Sequence, residues 1–184
     1  MNARAKLVNA LTFQLVWCAC VFGAAHGDAW IGMCAALVHV ALTLALEHGA
    51  AQRAGRTFAF ARALAAFLLA GVAGSAADAV LRARGFVGYA GPALGGVWVP
   101  VWIVALWIAF AATFSSSLAW LRGRVWLSLP FAAFGAPLSY LGAERVGAVS
   151  IDGTRISSLA AVSVAWAIAF HGAQWIEARV RREP

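Results

Sequence analysis

Charge is scarce in this chain of 184 residues: Asp, Glu, Lys and Arg make up 11% of it, against 63% hydrophobic residues. A soluble domain carries about 25% charged and about 45–50% apolar residues, so water is excluded as the folding solvent. Acidic residues number only seven, and disorder, which requires high charge and low hydrophobicity, is excluded with them. Cysteines number three: Cys18, Cys20 and Cys34 all fall inside apolar runs without Cys-x-x-Cys spacing, so they read as small core residues and not as a disulfide scaffold, a redox pair or a metal site. Also missing are His-Glu-x-x-His, Gly-x-Ser-x-Gly, a Walker loop, a dinucleotide-binding glycine motif and an Asp-rich pair for magnesium pyrophosphate. ATP-driven or dinucleotide chemistry on this chain is therefore not expected.

What is present is apolar and aromatic: nine Trp, eleven Phe and a mean hydropathy of +0.81. Six runs approach the roughly 20 residues of helix that cross a bilayer core: 7–25, 29–46, 58–81, 97–121, 125–142 and 156–176. The expected fold is all-α, a polytopic bundle of six transmembrane helices forming a single integral membrane domain. Three-residue turns at 26–28 and 122–124 predict that helices 1 and 2, and helices 4 and 5, are antiparallel neighbours. A cleaved signal peptide fits the first run less well, because the run is longer than a signal core and Gln14 interrupts it.

The net charge of +7 does not point to nucleic acid, because the cations lie between apolar runs and not on one solvated face. With the N-terminus inside, one side collects Arg4, Lys6, Arg53, Arg56, Arg62, Arg122, Arg124, Arg179, Arg181 and Arg182. The other keeps Arg82, Arg84, Arg145 and Arg155, balanced by Asp28, Asp78, Glu144 and Asp152. The positive-inside rule then places both termini in the cytoplasm. Trp30, Trp98 and Trp102 at outer ends, with Trp120, Trp126 and Trp175 at inner ends, match interfacial anchoring.

Polar residues inside a membrane are costly, so each is a candidate for function. Asp78 shares a helical face with Gly71, Gly74 and Ser75, small residues that admit a neighbouring helix, and so points into the bundle; the alternative is an interfacial carboxylate paired with Arg82. Pro130 and Pro137 each free a carbonyl and kink helix 5. Ser139, Tyr140 and Arg145 follow on the same side as Asp78, so Asp78, Tyr140 and Arg145 form a candidate outer catalytic site, the carboxylate as base or proton carrier and Arg145 as anion holder. Gln14, His39 and His171 fall at one depth, roughly 10 Å from the inner ends of their helices, where they could meet. Two histidines there could ligate a haem iron, or each could make an ordinary interhelical hydrogen bond. Arg62 enters the same layer, read as a snorkelling cation paired with Glu47. Trp102, Thr113 and Ser117 line one face of helix 4, as helix packing or as substrate contacts together with Gln14 and Ser139. No metal is expected, and no cofactor is identified.

The stretch from Asn9 to Cys20, then Asp78, Pro100-Val-Trp102, Leu106-Trp107, Phe110 to Thr113, Ser117 to Leu121, Gly135-Ala-Pro-Leu-Ser-Tyr140 and Gly147-Ala-Val149 resemble a bacterial inner-membrane family known as domain of unknown function 2878. The likeness spans nearly the whole chain. It implies an inner-membrane location, and the family's frequent gene neighbours, cyclopropane-type fatty-acyl methyltransferases and flavin-dependent oxidoreductases, imply a part in membrane-lipid modification under oxidative stress. It also favours Gln14, Asp78, Ser139 and Tyr140 over the two histidines. The function expected is participation in fatty-acyl or phospholipid modification, as an enzyme component or as the bilayer-embedded partner of soluble lipid-modifying enzymes at the basic cytoplasmic face. The alternative is a proton-coupled transporter or flippase, since three helices per half with an echo of Gly27-Asp28-Ala29-Trp30 in Gly123-Arg124-Val125-Trp126 reads as an inverted repeat.

Overall fold

The computed structural model describes residues 1–181, so Arg182, counted above among the basic residues, lies outside the described residues. Helix α1 spans Ala3–Ala25 and α2 Ala29–Arg53, followed by α3 at Phe60–Ala83, α4 at Val101–Ala111, α5 at Val125–Arg145 and α6 at Arg155–Arg181. Two short strands, β1 (Val87–Tyr89) and β2 (Val149–Ile151), pair antiparallel with Val87 opposite Ile151 and Tyr89 opposite Val149. The bundle is therefore helical with one added strand pair, which clasps the α3–α4 and α5–α6 connections at one end.

Five of the helices are long and apolar enough to cross a membrane, and the chain is a multi-pass membrane protein. Its outward faces carry what a lipid solvent accepts: Leu11, Leu15, Leu37, Val38, Phe134, Leu138 and Ile168 are all exposed. Asn2 opens α1 by accepting the Ala5 N–H at 2.9 Å, and Gly27, at φ 84°, makes the tight turn into α2. The hairpin closes tightly because Gly32 lies over Cys20: a Cβ there would stand 2.5 Å from the Cys20 Cα. Helix α3, the most buried of the long helices, packs on α6 and on α4. Gly71 lets it approach the Ile108 backbone, and Gly74 receives the Trp107 ring.

Helix 4 departs from expectation. The run 97–121 is not one span, because α4 ends at Ala111 after 11 residues, about 16 Å of rise and half a bilayer core. Turns carry the chain through Ala112–Leu118 to a short 3₁₀ turn at Ala119–Leu121. The cause is the hydroxyl run. Thr113 bonds the Phe110 carbonyl at 2.6 Å, Ser115 donates to Glu47 at 2.5 Å, and Asn9 accepts both the Ser117 hydroxyl at 2.6 Å and its backbone N–H at 3.3 Å. Ala112, Thr113, Phe114 and Ser116 are buried, which is where irregular backbone is tolerated in a membrane protein.

The short turn at 122–124 does not make helices 4 and 5 packed neighbours: α4 lies against α3 and α2, whereas α5 lies against α6. Helix α5 runs through both prolines, and Ser163 of α6 donates at 2.8 Å to the Ala133 carbonyl that Pro137 deprives of its helical partner.

Candidate functional site

Asp78 sits one turn from the end of α3 and is 1% exposed. Its Oδ1 accepts the hydroxyls of Tyr89, at 3.0 Å, and of Tyr140, while Oδ2 accepts the Trp107 indole N–H at 2.5 Å. The Trp166 indole donates at 3.2 Å to the Tyr140 oxygen and stacks on Trp107 with ring centroids 4.3 Å apart. Every group bonded to the carboxyl is a neutral donor, and no cation pairs with it among the described residues. A buried carboxyl is thereby supplied with hydrogen bonds and left without a counterion, an arrangement suited to holding or passing a proton. Burial first, then the adjoining carboxyl, pushes the Tyr89 phenol well above its ordinary range, so Tyr89 remains a donor.

Five elements meet here for identifiable reasons. The Gly71, Gly74 and Ser75 face of α3 brings Asp78 against α4, and Trp107 follows from that approach. The strand pair delivers Tyr89, while α5 and α6 supply Tyr140 and Trp166. The chain has two tyrosines, and both reach the same carboxyl oxygen.

A cavity of about 400 Å³ opens from this cluster between α1, α4, α5 and α6. Phe13, Trp17, Trp102, Leu106, Phe131 and Phe170 make its walls apolar, with Asp78, Tyr89 and Tyr140 lining it as well. Gln14, Phe131, Gly135 and Leu138 line it and are exposed on the bundle surface, so its mouth faces sideways, between α1 and α5. The Trp17 indole bridges that mouth by donating to Ser139 at 2.7 Å.

Gln14, Ser139, Trp102, Asp78 and Tyr140 thus line one cavity. Arg145 stands apart from it: its side chain is exposed at the end of α5, one turn beyond Tyr140 and outside the cavity lining, so it holds no anion beside Asp78. Nor does Asp78 pair with Arg82, which reaches outward to the carbonyls of Val97 and Trp98, each at 3.2 Å. Tyr89 and Trp166 escape sequence reasoning, and Trp107 enters it only within the family likeness and not as a site residue; Tyr89 lies in a connection placed only by the strand pair, and an indole in an apolar run looks like any core aromatic.

Thr113 and Ser117 belong to a different layer toward the helix ends that hold the termini. There Asn9, fully buried, donates to Thr43 at 2.9 Å and accepts from Ser117. His39 and His171 do not meet. The Nδ1 of His39 lies 2.8 Å from the Thr12 hydroxyl, whereas both nitrogens of His171 are taken, one by Ser128 at 2.8 Å and one by the Ala167 carbonyl at 2.7 Å. A bis-histidine haem site is therefore not formed. Among the described residues no cluster of three or more His, Cys, Asp or Glu could hold a metal. Glu47 pairs not with Arg62 but with Arg181, at 3.0 Å, and Arg181 also meets the fully buried Glu177 at 2.5 Å while Arg122 closes on Glu177 from the other side.

No curated protein and no solved structure matches the chain. Residues 6–171 match the family model described as protein of unknown function (DUF2878), and the chain belongs to that family.

Proposed function

We propose that this protein takes part in modifying fatty-acyl chains or phospholipids of a bacterial inner membrane, holding an acyl segment in the lateral cavity with its reacting end at Asp78. The observation that carries this reading is the cavity itself: an apolar chamber with a sideways mouth between two lipid-facing helices, ending on a carboxyl and two phenols. Its volume, about 400 Å³, falls in the range of roughly 300–1,000 Å³ typical of small-molecule sites. In this role Asp78 takes or gives the proton, and the phenols of Tyr89 and Tyr140 donate to charge that develops beside it. The protein acts as an enzyme component or as the membrane partner of soluble enzymes docking on a basic cytoplasmic face. The test is quantitative lipid mass spectrometry of a deletion strain carrying wild type, Asp78→Ala or empty vector, with and without oxidative challenge. An acyl species that changes on deletion, with Asp78→Ala copying the loss at normal protein level, supports the reading; three coincident profiles reject it.

A second reading, a small proton-coupled transporter or flippase, rests on a buried carboxyl bonded only to neutral donors. It gains little from a three-plus-three repeat, since α1 packs along α2 while α4 does not pack along α5. Flux in proteoliposomes that depends on a pH gradient and vanishes in Asp78→Asn would select it. For docking, Arg124 is the cleaner probe, being exposed, whereas Arg122 is engaged with Glu177.

A further inference from the structure

At the end of the bundle remote from the strand pair lies a second cavity, of about 710 Å³, lined by the α2–α3 connection and the start of α3. Three arginines line it, Arg56, Arg62 and Arg181, with Glu47 the one acidic residue in its lining among the described residues. Arg181 is already committed, since it pairs with Glu47 and Glu177 and lies 4.8 Å above the Phe67 ring. Arg56 and Arg62 line the same cavity, and neither pairs with a carboxylate among the described residues. Thr57 brings a hydroxyl-bearing side chain to the same lining, and Phe58 and Ala63 are among its apolar members.

The position narrows the ligand. Arg62 lies in the first turn of a membrane-length helix and Arg181 at the end of another, which is the level of lipid headgroups. Guanidinium forks match the oxygens of a phosphate in paired hydrogen bonds, better than they match a diffuse counterion. We infer that Arg56, Arg62 and Thr57 form a phosphate-binding site, taking the phosphate of an anionic phospholipid headgroup or a free phosphate, with the Arg181–Glu47 pair as its fixed wall. The site is separate from the Asp78 cavity and does not depend on what that cavity does.

The test uses the full chain purified in a neutral detergent, titrated with phosphatidylglycerol, with phosphatidylcholine and with inorganic phosphate while thermal unfolding is followed. Phosphatidylglycerol should stabilise the wild type, and its apparent affinity should fall at least about tenfold in Arg56→Gln/Arg62→Gln, the loss of charge-assisted hydrogen bonds. Arg62→Lys should keep part of the effect. Stabilisation by inorganic phosphate but not by the lipid, with the same arginine dependence, upholds the site and assigns it to a soluble ligand. If the double variant does not fold, Arg56→Gln alone, at an exposed connection, reads the same affinity. Equal stabilisation of wild type and variant, or none by either ligand, overturns the inference.

Discussion

The hydroxyls of Tyr89 and Tyr140 stand 3.0 Å apart, and both reach the same oxygen of Asp78. One comes from a strand in a connection and the other from the C-terminal part of a proline-bearing helix, so the carboxyl ties the strand pair to the bundle. Removing either phenol leaves the other in place, whereas removing the carboxyl strips the Trp107 indole of its acceptor and leaves the two phenols with only each other to donate to.

That asymmetry sets the first outcome. Asp78→Ala should destabilise the protein by about 2–4 kcal/mol, beyond either Tyr89→Phe or Tyr140→Phe at about 1 kcal/mol each, because the buried Trp107 N–H loses its acceptor and two phenols lose their bonds to the carboxyl. Equilibrium unfolding in detergent measures all three, and the Tyr89→Phe/Tyr140→Phe double variant should depart from additivity.

Ser163 and Pro137 should be coupled. Ser163→Ala abandons the Ala133 carbonyl and should cost about 0.5–1.5 kcal/mol, in the range of interhelical hydrogen bonds in membranes. In a Pro137→Ala background residue 137 regains its N–H and can serve that carbonyl itself, so the cost of Ser163→Ala should shrink. A double-mutant cycle on unfolding free energy reads the difference; equal costs in both backgrounds would show that the serine is not compensating for the proline.

Two glycines should behave oppositely. A Cβ at Gly71 would lie 2.7 Å from the Ile108 Cα, so Gly71→Ala must push α3 from α4 and should cost about 1–3 kcal/mol. Nothing lies within 4 Å of a Cβ at Gly135, so Gly135→Ala should leave stability within about 0.5 kcal/mol. Gly135→Phe, at the mouth of the lateral cavity, should likewise leave folding intact while reproducing the lipid profile or flux defect of Asp78→Ala. Melting temperature and the activity readout together separate the two glycines.

The charges at the terminal ends of the helices should be unequal in weight. Arg181 serves both Glu47 and Glu177, so Arg181→Gln strands part of two carboxylates and should cost about 3–5 kcal/mol. Arg122 is 42% exposed and leaves Glu177 still paired with Arg181, so Arg122→Gln should cost less. Comparable losses from the two variants, measured by thermal unfolding, would contradict this ordering.

Much of the site is readable in the sequence because it depends on local pattern. A carboxylate on the same helical face as Gly71, Gly74 and Ser75 must point toward a neighbouring helix, and it does. Tyr140 and Ser139 stand out because they follow Pro137 in an apolar run. Arg145 misleads for the opposite reason: proximity in sequence to Tyr140 says nothing about the last turn of a helix, where a long cation turns to the surface. The histidines follow the hydrogen-bond reading and not the haem one, because depth along separate helices does not bring side chains together: His39 bonds Thr12 and His171 bonds Ser128, each across to a neighbouring helix.

Hydropathy is a property of each segment alone, and it was enough to determine the solvent, the helical bundle, the short turns and the inward face of α3. Tertiary structure decided where α4 stops, since hydroxyls that an isolated membrane helix would bond to its own carbonyls are instead drawn to Asn9 of α1 and Glu47 of α2. It also decided which donors surround Asp78, because a buried polar group takes whatever partner the packing brings within reach. That partner, Tyr89 in a connection or Trp166 on the last helix, is fixed by contacts far apart in the chain.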